Sequence, residues 1–319
     1  MKWINRNNIP TRYGFGEGLL EAAQKNKKLV ALGADITQSV HMHLFAEAFP
    51  NRFFSMGIAE QNIAASAVGL FLGGKIPVFS TYGVFAAHRA TDQIRVSICY
   101  NNAHVIIGGA HAGISVGADG ATHQALEDIA TMRVLPNMTV LSPCDATQTK
   151  KAIIAAVEQI NSPVYIRFGR EAVPDFSNPN AKFEIGKGEI YQEGTELSII
   201  ATGHMLWEAL EAAKILEKEN ISTEVINIHT IKPIDKDLII KSAQKTKAVV
   251  TAEEHQTMAG FGSAVAEVLA QNFPVPIEMI GIKDTFGESG EPNELMKKYK
   301  LKANNIVDAA KRVIRRKKM

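Results

Sequence analysis

The chain has 319 residues, 46% hydrophobic and 21% charged, which leaves room for two domains and excludes a disordered, collagenous or disulfide-stapled protein. Lysine and arginine number 35 against 33 acidic residues, a formal charge of +2, so no broad basic field exists for nucleic acid or anionic lipid. Cys99 and Cys144 form no C-x-x-C spacing and the opening stretch MKWINRNNIPTRYG has no signal-peptide core, which points to a reducing, cytoplasmic setting.

From residue 28 onward, short apolar runs alternate with helical stretches, the pattern of an α/β chain built on parallel sheets. The first half offers strands at Leu29 to Gly33, Ile76 to Thr81, Val105 to Gly108, Thr139 to Leu141 and Val164 to Phe168. Between Asn62 and Ala87 there is one charge, Lys75, but Gly69, Gly73, Gly74 and Pro77 interrupt the stretch below the ~20 apolar residues of a membrane span, so it reads as a buried helix and then a buried strand. Asp145 to Ile160 reads as a helix that Asp145 caps and Asn161-Ser162-Pro163 stops. Residues 171–188, rich in Pro, Asn and Gly, read as a linker. The expected division is therefore one domain over 1–175, a linker over 176–190 and a second domain over 191–319. In that second domain, strands at Leu197 to Ala201, Thr223 to Ile228, Ala248 to Ala252 and Ile277 to Ile282 alternate with helices near 205–218, 236–246, 260–271 and 306–316. Six of the nine residues from Lys311 to Met319 are basic, which reads as a solvated helix face.

Open parallel sheets bind ligands beyond the carboxyl ends of their strands. In the first half the residues there are Asp35, Tyr82, His111, Asp145 and Arg170. In the second half they are Gly203-His204, His229 and Glu253-Glu254-His255, which read as solvated or interface positions. Three segments carry the chemistry. In Met56-Gly-Ile-Ala-Glu-Gln-Asn-Ile63, Glu60 shares a helical face with Ala64, Ala67 and Phe71, so this carboxylate points inward and needs a partner, such as the protonated ring nitrogen of a ligand. Phe79 to Arg89 is an aromatic-rich turn in which Phe85 or Tyr82 offers a stacking face beside the small Gly83, Ala86 and Ala87. The glycine-rich Gly108 to Gln124 holds His111, Asp119 and His123, which suits hydrogen bonds to hydroxyls and phosphate better than a metal. Arg12, Arg167 and Arg170 are candidate anion ligands, each weighed against a surface ion pair. Tyr13 to Gly18, YGFGEG, looks like a phosphate loop but follows no predicted strand, and it is set aside.

Taken in order, GIAEQN at 57–62, STYGVFAAHRATDQIR at 80–95, GADGATHQALEDIA at 117–130 and DTFGESGEP at 284–292 resemble the transketolase family across nearly the whole chain. The resemblance implies a thiamine diphosphate pyrimidine-binding fold followed by a transketolase C-terminal fold. It implies that Glu60 holds the aminopyrimidine ring nitrogen and so promotes the tautomer that deprotonates thiazolium C2. Phe85, with Tyr82 beside it, matches the stacking aromatic, in a segment one residue longer than in some members. Asp35 and Ile58 match positions lining the cofactor near its thiazolium. Arg12, Ser39, His111 and Arg170 match the set at the sugar-phosphate end, and Asp119 and His123 match residues at the substrate hydroxyls and the reacting centre; Glu60, His111 and His123 are the catalytic candidates.

The family's GDG motif, which binds Mg²⁺ and the diphosphate, is absent. The resemblance therefore implies the C-terminal subunit of a split transketolase: an N-terminal partner holds Mg²⁺ (or Ca²⁺), the assembly is α2β2, and a two-carbon ketol unit passes between sugar phosphates. Three other readings share part of this pattern. A 1-deoxy-xylulose 5-phosphate synthase shares the domain order, and a 2-oxo acid dehydrogenase beta subunit shares the length but needs no phosphate-binding set. A non-catalytic regulatory subunit would have no use for the retained Glu60, His111, Asp119 and His123.

Overall fold

Parallel strands covered on both faces must be apolar throughout, and the predicted runs meet that demand. The computed structural model describes residues 3–317, so Met1, Lys2 and, of the basic tail, Lys318 and Met319 lie outside the described residues. The first half runs β1 (Asn7–Pro10), α1 (Thr11–Lys25), β2 (Leu29–Gly33), α2 (His43–Ala48), β3 (Phe53–Ser55), α3 (Glu60–Leu72), β4 (Ile76–Tyr82), α4 (Thr91–Gln93), β5 (Ile106–Ala110), α5 (Asp128–Val134), β6 (Thr139–Leu141), α6 (Ala146–Gln159), β7 (Val164–Arg167) and β8 (Ala172–Asp175). The second runs β9 (Glu189–Gln192), β10 (Leu197–Ala201), α7 (Met205–Lys218), β11 (Thr223–Asn227), β12 (Thr230–Lys232), α8 (Lys236–Thr246), β13 (Val249–Gln256), α9 (Phe261–Asn272), β14 (Ile277–Ile282), α10 (Pro292–Lys298) and α11 (Ala303–Lys317).

Two sheets organise these elements, in the orders β12-β6-β7-β5-β4-β2-β3 and β14-β13-β10-β11-β9. All neighbours pair in parallel except β12 on β6 and β9 on β11, at one edge of each sheet. Because β12 comes from the second half, the two halves share a sheet. They also share a core, in which Leu32, Ile63 and Phe79 continue through Ile129 and Met132 to Ile228, Ile231 and Phe261. Among the described residues no helix is long and apolar enough to cross a membrane.

The structure departs from the sequence reading in four places. The stretch 171–188 is not linker throughout, since β8 pairs antiparallel with β1, and β9 begins at Glu189. Asp145 caps α6 as expected, accepting from Gln148 N, but its other contacts are with the Phe176 and Ser177 amides and the Ser177 hydroxyl. It is fully buried and consumed in anchoring the crossing between halves, so no ligand-facing role remains for it. The YGFGEG stretch does follow a strand, β1, yet it lies inside α1. Its glycines serve packing, because a Cβ at Gly14 would run into the Ala146 backbone and one at Gly18 would meet α6 near Lys150. Finally, of the two readings given for the second-half residues, solvated or interface, Glu253, Glu254, His255 and His229 are not solvated but buried, and Glu254 and His229 bond the first half through Ser115 N and Ser142 N. Glu253 accepts from Phe261 N and Gly262 N at the start of α9, and burial pushes its carboxyl up to about 8.

Candidate active site

The site forms along the carboxyl edge of the larger sheet. Here β2 ends before Asp35, β4 at Tyr82, β5 before His111 and β7 three residues before Arg170, so neighbouring strands bring these residues together. Glu60 opens α3 and is 2% exposed. Thr81 Oγ1 donates to its Oε1 over 3.2 Å, and Arg89 Nη1 reaches Oε1 and Oε2 at 3.1 and 3.0 Å. The Arg89 guanidinium lies 4.0 Å from the Phe85 ring centroid. A flat, N–H-donating cation thus rests on the aromatic face while bonding the carboxylate.

Phe85 to Arg89 is a turn of π-helix, in which Ala90 N bonds Phe85 O, five residues back. Such a turn takes up one more residue than an α turn. A second π segment, Ile94–Cys99, follows α4. The sequence reading did not single out Arg89 or its contact with Glu60, and the available signal was a cation four positions beyond Phe85.

Aromatic contacts continue from Phe85. Its ring centroid lies 5.5 Å from Tyr82 and 5.3 Å from His123, and Tyr82 lies 4.7 Å from His111 and 5.0 Å from His123. Tyr82 OH donates to Asp119 Oδ2 at 3.1 Å, and Arg170 Nη1 donates to Oδ1 at 2.8 Å. Burial pushes the Asp119 carboxyl up, but Arg170 and Tyr82 outweigh it and hold it below the usual range. On the other side His111 Nε2 and Ser39 Oγ share a 2.9 Å hydrogen bond, and Arg12 Nη1 donates to Ser39 O at 2.9 Å. Burial, then the charges of Arg12 and Arg170, lower the His111 imidazole to about 3, so it works neutral.

The structure therefore brings together Glu60, Tyr82, Phe85, His111, Asp119, His123, Ser39, Arg12 and Arg170. Asp35, at φ +62°, and Ile58, 71% exposed, stand at the open rim near the β2 end and the α3 start and touch none of these groups through a hydrogen bond among the described residues. Arg167, a candidate anion ligand by sequence, is instead buried. Its Nε donates to Asp128 and its Nη2 to the Ala125 and Glu254 carbonyls, so it braces the fold and is not free for a ligand.

Two buried atoms in the cluster have no hydrogen-bond partner, Arg12 Nε and His111 Nδ1. Unmet polar capacity of this kind, beside two arginines, fits an anionic, hydroxylated ligand. At the other end, the Phe85 face and the Glu60 carboxylate accept a flat N–H donor, as the pose of Arg89 shows, which fits an aminopyrimidine. No group of three or more His, Cys, Asp or Glu among the described residues is arranged to hold a metal ion.

An aromatic face and an inward carboxylate at one end of a sheet edge, with an arginine, serine and histidine set at the other, define the pyrimidine-binding part of a thiamine diphosphate enzyme. Family comparison agrees. Residues 7–175 match the transketolase pyrimidine-binding domain and residues 186–306 the transketolase C-terminal domain. A putative transketolase C-terminal section of Methanocaldococcus jannaschii is 44% identical over 306 residues, covering 95% of each chain. A 6-deoxy-6-sulfo-D-fructose transketolase subunit of Clostridium sp. is 40% identical, covering 94% of this chain and 92% of its own. Among solved structures, a split-gene transketolase in an inactive beta4 tetramer superposes with a TM-score of 0.91 at 49% identity, covering 96% of this chain and 99% of its own. The chain belongs to the transketolase family and corresponds to the C-terminal subunit of its split form.

Proposed function

We propose that this chain completes a transketolase active site with an N-terminal partner that carries the diphosphate-binding domain and its Mg²⁺ or Ca²⁺. The complex transfers a two-carbon ketol unit from a ketose phosphate such as xylulose 5-phosphate to an aldose phosphate, in a cytoplasmic pentose phosphate pathway, as an α2β2 heterotetramer. What supports this is one observation: the Glu60–Phe85 end and the Arg12–Ser39–His111–Arg170 end form one continuous edge, joined through Tyr82. Thiamine diphosphate, held between the two chains, would supply a nucleophilic carbon for addition to the ketose carbonyl and a sink for the electron pair of the adjacent C–C bond.

The residues of this chain do the rest. A carboxylate has about four acceptor positions. Thr81 uses one of those on Glu60, and Arg89, lying against the Phe85 face, uses two; displacement of Arg89 would free both that face and the carboxylate for a ring N–H and a proton held at that nitrogen. Phe85 stacks on the pyrimidine, and Asp35 and Ile58 line the thiazolium side. Arg12, Arg170, Ser39 and neutral His111 bind the phosphate end of the sugar, while Asp119 and His123 bond its hydroxyls and the reacting carbonyl. Tyr82 and Arg170 fix the Asp119 carboxylate before substrate arrives.

The test mixes this chain with a candidate partner, thiamine diphosphate, Mg²⁺, xylulose 5-phosphate and ribose 5-phosphate, and follows glyceraldehyde 3-phosphate, with each chain alone as control. Activity confined to the mixture is the expected result. Activity from this chain alone overturns the two-chain reading. Turnover of pyruvate in place of the ketose phosphate favours the synthase or dehydrogenase alternatives, and a folded complex inert towards both favours a regulatory subunit.

A further inference from the structure

We propose that Glu254, with His204 beside it, is a positioning residue: it anchors the Gly113–Asp119 segment from the second half and so fixes how His111 and Asp119 meet the sugar phosphate. The proposal rests on reading that segment as the sugar-binding loop. In an open parallel sheet the crevice lies where the strand order switches, which in the smaller sheet is between β10 and β13. Here that crevice is filled from the first half. Glu254 of β13 is 4% exposed, and its Oε1 accepts from Ser115 N at 2.6 Å. Its Oε2 lies 3.3 Å from Nε2 of His204, three residues past the end of β10.

The loop has the shape this contact requires. Gly113 sits at φ +89°, and any Cβ there would collide with the Glu254 carboxylate. From Gly113 to Gly120 three glycines occupy positive φ, so the segment has few side chains with which to hold its own conformation. The Glu254 backbone is held in turn by the buried Arg167, which donates to its carbonyl at 2.8 Å. A second brace bears on the same end of the loop, where Gln124 Nε2 donates to Ile114 O and to Glu288 O at 3.1 and 2.9 Å. Beyond these braces the loop presents Asp119 to Tyr82 and Arg170. A buried carboxylate at the turn of a glycine-rich loop is a strong charge-assisted acceptor, and its loss frees the loop on the side away from substrate.

The test uses the full chain, alone and assembled with its partner, in the variants Glu254→Ala, Glu254→Gln and His204→Ala. Misplacement of binding groups by about 1 Å costs up to ~10²-fold. In the complex, Glu254→Ala is expected to raise the KM for the donor ketose phosphate about tenfold or more, with thiamine diphosphate affinity changed less than about twofold. Glu254→Gln keeps an acceptor for Ser115 N and is expected to restore most of the loss. In the chain alone, hydrogen exchange at the Ser115 amide is expected to quicken in Glu254→Ala and, to a lesser degree, in His204→Ala. An unchanged Ser115 exchange rate overturns the proposal, as does a donor KM that stays at its original value. So does a loss that glutamine fails to rescue and that weakens cofactor binding in parallel. Should Glu254→Ala fail to fold, His204→Ala decides by the same two readings, both expected to move in the same direction by a smaller amount. A wild-type complex with no ketol transfer would instead count against the functional reading, and the Ser115 exchange would still decide the anchoring.

Discussion

Glu60 is buried with a donor on each oxygen, so truncating it removes both the carboxylate proposed to face the pyrimidine and the partner of Arg89. Glu60→Ala in the assembled complex is expected to lower the initial rate at least about 10²-fold, in the range for a positioned acid–base group. A variant complex that keeps the wild-type rate would remove Glu60 from the chemistry. His111 makes a different point about protons. Burial lowers it to about 3, and burial alone lowers His229, whose ring rests on Phe183 with centroids 4.2 Å apart, to about 4. Unfolded histidines take up protons near 6.5, so below that pH the unfolded chain binds more protons than the folded one. The sign follows: stability is fully present above about pH 6.5 and is lost as pH falls towards the folded values. Glu253, held up to about 8, acts in the opposite sense over the same range, so the measurement that isolates the pair is NMR titration of the folded chain: the His111 and His229 rings are expected to stay neutral down to about pH 5, and a ring signal moving with a midpoint near 6.5 would contradict these two environments.

At the scale of elements, α1 and α6 pack so closely that the glycines of α1 stand in for side chains. Helix propensity alone says that Gly14→Ala gains up to about 1 kcal/mol. The added Cβ, however, meets the Ala146 backbone, which has no rotamer with which to retreat. Overpacking of this kind costs about 1–3 kcal/mol, so the net change is expected to be destabilising. Denaturant unfolding should show a lower midpoint for Gly14→Ala, and a raised midpoint would mean that the helices separate without cost. Because Arg12 lies in the first turn of the same helix, the variant is also expected to weaken sugar-phosphate binding. The elements legible in the sequence were those whose cause is local. The runs at Leu29, Val164 and Leu197 are apolar because both sheet faces are covered, and Asp145 caps its helix through Gln148, three residues on. The strands β1, β8, β9 and β12, reading NNIP, AVPD, EIYQ and TIK, are short and exist through partners far along the chain, so no local pattern announced them. The π turn at Phe85 was not announced by composition either. The candidate site residues followed the same division. Glu60, His111 and Asp119 stood out within compact motifs, whereas Arg89 reaches Glu60 through the fold of a turn and Glu254 reaches Ser115 across 139 residues of sequence.

For the whole molecule, the question is whether the chain is two bodies on a tether or one. The segment 176–188 has no strand or helix of its own, and Lys182 and Lys187 are exposed there, which makes it the natural place for a protease to cut. Yet the halves meet well away from that segment. Strand β12 adds to the larger sheet through β6, Ser142 N bonds His229 O, and Arg167 reaches across to the Glu254 carbonyl. Apolar burial continues across the same boundary, from Ile129 and Met132 to Ile228 and Phe261. Burial of this extent, at roughly 25 cal/mol per Å², outweighs the small entropy released by cutting one surface segment. Limited trypsin digestion is therefore expected to cleave near Lys182 or Lys187 and yield two fragments that still elute together in native gel filtration, separating only in denaturant. Fragments that part without denaturant would mean that the shared strand and core contribute little. The second half would then be a tethered domain, too loosely held to set the position of a loop in the first.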